Sequence, residues 1–134
     1  MANQYGDLDA SYQAAGELEG ITKLVECFYN YMEQLSEANN IREMHPKDLT
    51  ITKDKLVCFL SGWLGGPRLF RDKYGRISLP MAHKHLAISI EDRDSWLLCM
   101  SKAADDQPYD ESFKKYLLQQ LAFPANRIYQ VAKQ

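Results

Sequence analysis

The apolar residues of this chain recur at the period of an α-helix over long stretches, and no stretch shows a convincing strand-like alternation. From Ile21 to Leu35, the positions Leu24, Phe28, Tyr31, Met32 and Leu35 form one stripe on a helix of about four turns. A second helix follows Thr50 or Thr52, either of which can cap it, and presents Leu56, Phe59, Leu60 and Trp63 on one side. It stops at Gly65-Gly66-Pro67, where glycine supplies a left-handed cap and proline forbids continuation. A chain of helices with short links can bury its stripes only against one another, so the fold class is all-α.

The remaining segments fit that frame. Residues 1–9 read as a loose lead-in, and 10–18 as one short helix before Gly20. NIREM can add a helical turn, ended by Pro46. RLFRDKYGRISLP reads as an ordered, irregular loop, and a short helix is expected around 80–90. A strong helix runs from about Asp92 to Ala104, its acidic start suiting the positive end of the helix dipole. The last begins near Asp110 with Phe113, Tyr116, Leu117, Leu121, Ile128 and Val131 inward, and Pro124 should kink or split it.

Bulk properties exclude several function classes. With 134 residues, 46% of them apolar and 25% charged, the chain is expected to form one domain over 1–134. The net charge of −2 and the scattered lysines and arginines argue against nucleic acid as a partner. No apolar run approaches the roughly 20 residues that cross a bilayer, and MANQYGDLDA lacks the regions of a signal peptide, so a cytoplasmic protein without a membrane partner is expected. Cys27, Cys58 and Cys99 are odd in number, far apart and outside any C-x-x-C pair, which reads as three small hydrophobes.

The stretch PMAHKHLAISIEDRDSWLLCM holds two of the three histidines. On a helix, residues two apart point about 200° away from each other, so His83 and His85 cannot share one metal. His83 shares its side with Leu79, Leu86, Ala87 and Ile90, the more apolar face, whereas His85 also neighbours Ser89 and Asp92. A histidine in an apolar cleft is either a satisfied core imidazole or an axial ligand to haem iron, and the stretch alone leaves both open.

A wider set of motifs resembles a known family. The aromatic pair Phe28-Tyr29, then HPKDL, FLSGWLGGPRLF, a histidine and RDSWLLCM occur in the order and spacing of the group II truncated haemoglobins, over about residues 20–105. In that family the proximal histidine stands 16 residues after the proline of the GGP element and 13 before the tryptophan, and His83 meets both counts. The resemblance therefore implies a truncated globin fold, a two-over-two helical sandwich enclosing haem, with His83 as the iron ligand. The haem would be b-type and non-covalent, since no C-x-x-C-H occurs.

Carried over residue by residue, the resemblance places Tyr29, His45, Thr52, Leu56 and Trp96 around the bound ligand. A polarised diatomic ligand can be held by the Tyr29 O–H and the Trp96 N–H inside a low-dielectric pocket. His45 can donate to the ligand, bond to Tyr29 or act as a sixth ligand, Thr52 is a small gate residue, and Leu56 gives apolar wall. Phe59, Leu60 and Leu86 are expected against the haem. Arg68, Phe70, Lys73, Tyr74 and Arg76 are expected at the rim, where cations and donors meet the propionates. The family often has a tyrosine where Phe70 stands, and the loop Ser36–Asn40 is longer than in shorter relatives.

The function implied is reversible binding of dioxygen and other diatomic ligands, carbon monoxide and nitric oxide among them. The alternative is a haem-dependent redox enzyme, reducing peroxide or oxidising nitric oxide with an external reductase, in which Tyr29 and His45 move protons and Trp96 carries an oxidising equivalent. A cofactor-free helical interaction module is the third reading, and it predicts a colourless protein.

Overall fold

The computed structural model describes residues 5–75 and 88–133, and among the described residues every regular element is helical. Four long helices make the frame: α2 (Glu17–Gln34), α4 (Thr50–Trp63), α6 (Ile90–Asp105) and α7 (Glu111–Lys133). α2 packs against both α4 and α6, and α6 also packs against α7, which is the two-over-two sandwich. Short helices α1 (Ala10–Ala14), α3 (Asn39–Glu43) and α5 (Leu69–Tyr74) fill the connections, with one 3-10 turn at Ser36–Ala38.

The core follows from the α2 stripe. Ile21, Leu24, Val25, Phe28 and Met32 are wholly buried, and the same cluster takes Cys99, Met100, Ala103 and Ala104 from α6 and Phe113, Leu117 and Leu121 from α7. Each large apolar side chain so buried stabilises the fold by about 1.5–3 kcal/mol. Tyr31, expected inward, is half-buried and donates its hydroxyl to Asp106 at 2.6 Å, tying α2 to the end of α6. Cys58 and Cys99 are buried and Cys27 half-buried, all three as free thiols.

Several boundaries differ from expectation, each for a local reason. α2 starts at Glu17, because the chain breaks at Gly16 (φ 90°) rather than at Gly20. Gly20 lies inside α2, where a Cβ would collide with the Ala15 carbonyl, so its small size serves the approach of α1. Neither Thr50 nor Thr52 caps α4; Asp48 does that work, accepting from the Thr50 N–H at 3.0 Å and its hydroxyl at 2.7 Å. Where an irregular loop was expected, residues 69–74 form α5, which ends at Gly75 (φ 83°). The helix expected around 80–90 lies outside the described residues up to position 87, and positions 88–89 are not helical.

α6 opens with a capping box. Ser89 Oγ accepts from the Asp92 N–H and Asp92 Oδ2 accepts from the Ser89 N–H, both at 3.0 Å. α7 runs unbroken through Pro124. The missing N–H removes one rung of the ladder, and the helix continues on both sides of it. The side chains of Ile128 and Val131 lie outside what is described.

The end of α4 behaves as expected. Gly65 takes φ 94°, its N–H donates to the Gly62 carbonyl at 3.1 Å, and the Gly66 N–H donates to the Ser61 carbonyl at 2.8 Å. This corner also holds down residues 5–9, which are not a loose lead-in. The Leu8 carbonyl approaches Gly65 where a Cβ would stand, and the Tyr12 ring covers Gly66. Tyr5 packs on Phe113 and Tyr116, with ring centroids 5.3 and 5.2 Å away.

Candidate functional site

Two regions of the frame gather the chemically distinctive side chains. The first lies where α2, α3 and α6 meet. Phe28 and Tyr29 are consecutive on α2, so they point to different sides of the helix; Phe28 enters the core and Tyr29 turns toward α3. The Phe28 ring meets Tyr29 edge-on at 4.9 Å and Trp96 of α6 edge-on at 5.1 Å, while Tyr29 meets His45 at 5.8 Å. Tyr29 is only 4% exposed. Burial pushes its phenol well above the ordinary value, against a weaker opposite effect of the Arg42 guanidinium, so it keeps its proton and remains a donor.

His45 follows α3 and is anchored by its own backbone neighbourhood. Its Nδ1 lies 2.7 Å from the Ile41 carbonyl oxygen, which can only accept, so Nδ1 carries the proton. Arg42 holds the turn after α3 closed, donating to the carbonyls of Pro46 at 3.0 Å and Lys47 at 3.2 Å. The placement of His45 thus comes from α3 and its turn.

The second region is the inner end of α4 with α5. Phe59 and Trp63, one turn apart on α4, stack with centroids 6.4 Å apart, and both line a cavity of about 510 Å³ with Gly62, Arg68, Phe70 and Arg71. Three aromatic rings and two guanidinium groups therefore border one space. Alongside it, Asp54 of α4 accepts from Lys73 at 3.1 and 3.2 Å and from the Tyr74 hydroxyl at 2.6 Å, stapling α5 to α4. Those bonds hold the Asp54 carboxyl below its ordinary range, and push the Tyr74 phenol up to about 12.

A family model described as "Bacterial-like globin" matches residues 10–130. The chain is 32% identical over 120 residues to the group 2 truncated hemoglobin YjbI of Bacillus subtilis, covering 90% of this chain and 88% of that one. The chain is a group II truncated haemoglobin of the bacterial-like globin family. Among solved structures, this globin superposes on the cold-adapted truncated hemoglobin of Pseudoalteromonas haloplanktis with a TM-score of 0.84 at 31% identity, covering 88% of this chain and 95% of that one. It also superposes on the "truncated oxygen-avid haemoglobin" of Bacillus subtilis with a TM-score of 0.80 at 30% identity, covering 88% of this chain and 97% of that one.

The globin's own residues fit the haem that the family implies. Haem is a flat apolar ring with an anionic edge. The α4 face offers aromatic rings that are only half-buried although they pack against the core, and the cations Arg68 and Arg71 stand at the border of the same cavity.

Each side chain singled out from the sequence has a definite position here, apart from those outside the described residues. Tyr29 meets His45 directly, and Trp96 is joined to Tyr29 only by way of the Phe28 ring between them. Thr52 and Leu56 lie one turn apart on α4, both half-buried. Phe59, Arg68 and Phe70 share the cavity, whereas Leu60 is wholly buried in the core cluster. Lys73 and Tyr74 are engaged by Asp54. His83, His85, Arg76 and Leu86 lie outside the described residues.

Three contributors escaped the sequence reading: Arg71 at the cavity, Asp54 as the staple, and Asp92, which accepts from Asn40 as well as from Ser89. Only Asp92 left a sequence signal, the S-x-x-D spacing of a capping box.

Proposed function

We propose that this globin reversibly binds dioxygen and other diatomic ligands at a b-type, non-covalently held haem, with His83 as the protein ligand to iron. Bound haem supplies the iron that takes the ligand. The buried Tyr29 phenol, set among Phe28, His45 and, beyond Phe28, Trp96, is the observation that carries this reading. A neutral phenol in a low-dielectric pocket has its O–H to offer to a ligand that carries partial negative charge.

The other residues take supporting roles. The Trp96 indole N–H is a second donor, Thr52 leaves the entry open, and Leu56 excludes water without bonding. The Nδ1–H donation to the Ile41 carbonyl holds the His45 ring in place against Tyr29. Phe59, Phe70 and Leu86 hold the ring by contact, and Arg68, with Arg71 and Arg76, offers charge to the propionates. Lys73 and Tyr74 act on that rim by way of Asp54. His83 rests on its two spacings and on the apolar face it shares with Leu86. The description of the Bacillus subtilis relative as oxygen-avid points the same way.

Stopped-flow measurement of dioxygen release tests the reading. Tyr29→Phe should release dioxygen about tenfold faster, the equivalent of one lost hydrogen bond of about 1.4 kcal/mol. An unchanged rate would remove Tyr29 from the pocket's chemistry. The contact of Trp96 with Phe28, which in turn meets Tyr29, also favours peroxide reduction as a second reading. Rapid peroxide consumption that Trp96→Phe abolishes while the spectrum stays intact would establish it.

A further inference from the structure

Two residues of α6, Asp92 and Ser95, are hydrogen-bonded to the segment that carries His45. Asn40, at the start of α3, donates its amide to both carboxylate oxygens of Asp92, at 2.8 and 2.9 Å. One turn along α6, the Ser95 hydroxyl donates to the Glu37 carbonyl at 2.8 Å. Asp92 is 5% exposed and Ser95 8%, so the α6 end of each tie is buried. Breaking the first would leave Asp92 with its Ser89 bond alone, and breaking the second would take from the buried Ser95 hydroxyl its bond to Glu37.

Helix capping alone does not account for Asp92. A carboxylate that merely caps can stay in water, and this one is buried, with an amide from another element across both of its oxygens. The constraint then passes along α3. Ile41, next to Asn40, is itself buried and gives its carbonyl to His45 Nδ1. His45 in turn stands edge-on to Tyr29. Trp96 lies one turn beyond Asp92 on the same helix, so one anchor sits behind both of these groups.

The structure assigns to Asp92 a positioning role: through Asn40 and the Ile41 carbonyl it fixes the place and tautomer of His45 beside Tyr29, and thereby sets how long a diatomic ligand is held. This rests on the distal pocket proposed above. Asn40 is exposed, so its truncation removes the tie without opening the core, and the Ser89–Asp92 box stays intact.

The experiment uses the haem-loaded protein and its Asn40→Ala variant, with Asp92→Asn as a second variant of nearly equal size. Dioxygen release is followed by replacement with carbonmonoxide, and the ring ¹⁵N shifts of His45 are read in the ferrous carbonmonoxide form. Asn40→Ala should release dioxygen about three- to tenfold faster, the scale of one lost hydrogen bond. His45 should move from a single Nδ1–H tautomer toward a mixture. Either readout matching the parent overturns the assignment. Tyr29→Phe, measured beside it, separates the two levels: if that variant also releases dioxygen at the parent rate, the distal pocket itself is what fails.

Discussion

Five apolar side chains of α2, from Ile21 to Met32, are wholly buried, while Leu56, Val57, Phe59 and Trp63 of α4 are only half-covered although they pack against the same core. The two helices are neighbours, so depth in the frame does not explain the difference. α2 is flanked by α4 on one side and α6 on the other, and its stripe meets protein throughout. Phe59 and Trp63 of α4 border the cavity shared with Arg68, Phe70 and Arg71. One helix buries its stripe in the core, and the other leaves an aromatic face bordering a cavity. Truncations on the two should therefore differ in what they destabilise, not only in how much.

The largest effect expected is on α2. Phe28→Ala should cost about 3–5 kcal/mol in denaturant unfolding, with or without haem, because it opens a cavity in the core. Trp63→Ala should change the apoprotein far less and speed haem loss to an acceptor globin. Equal apoprotein losses for both variants would erase the contrast. Next comes the corner after α4, where Gly65→Ala must hold φ 94° against the Leu8 carbonyl. A loss of about 1–3 kcal/mol is expected from thermal or urea unfolding. An unchanged midpoint would show that residues 5–9 do not hold this corner.

The smallest effect concerns the distal anchor and depends on pH. Burial alone would push the Asp92 carboxyl up, but the bonds from Asn40 and Ser89 outweigh it and hold the group below its ordinary range. A lowered folded value contributes stability that is full above the unfolded value, about 3.9, and is lost as pH falls through the folded one. Parent and Asn40→Ala should therefore differ by about 1 kcal/mol near neutrality, and the gap should narrow below about pH 4. A gap independent of pH would mean the tie does not depend on the carboxylate charge.

The same contrast governs what the sequence could reveal. The α2 stripe and the Gly65 stop are local patterns, and both are legible because period and turn chemistry act over a few residues. α5 was missed because LFRDKY is half charged and buries none of its residues, so no apolar period marks it. No local pattern marks Tyr29 or Trp96 as chemical groups; only the family resemblance places both around one ligand. Asn40 and Asp92 are 52 positions apart, and Asp54 and Tyr74 are 20 apart; such pairings exist only once the helices pack. The distribution of half-covered aromatics on α4 is likewise a property of the assembled frame.

We propose that this globin holds haem through His83. The visible spectrum of the purified protein with added haemin, before and after dithionite, tests it most directly when His83→Gly and His85→Gly are recorded alongside. A stoichiometric Soret band that is lost or strongly shifted in His83→Gly, and kept in His85→Gly, is the predicted result. A band that survives in His83→Gly, or no specific band in the parent, would contradict it.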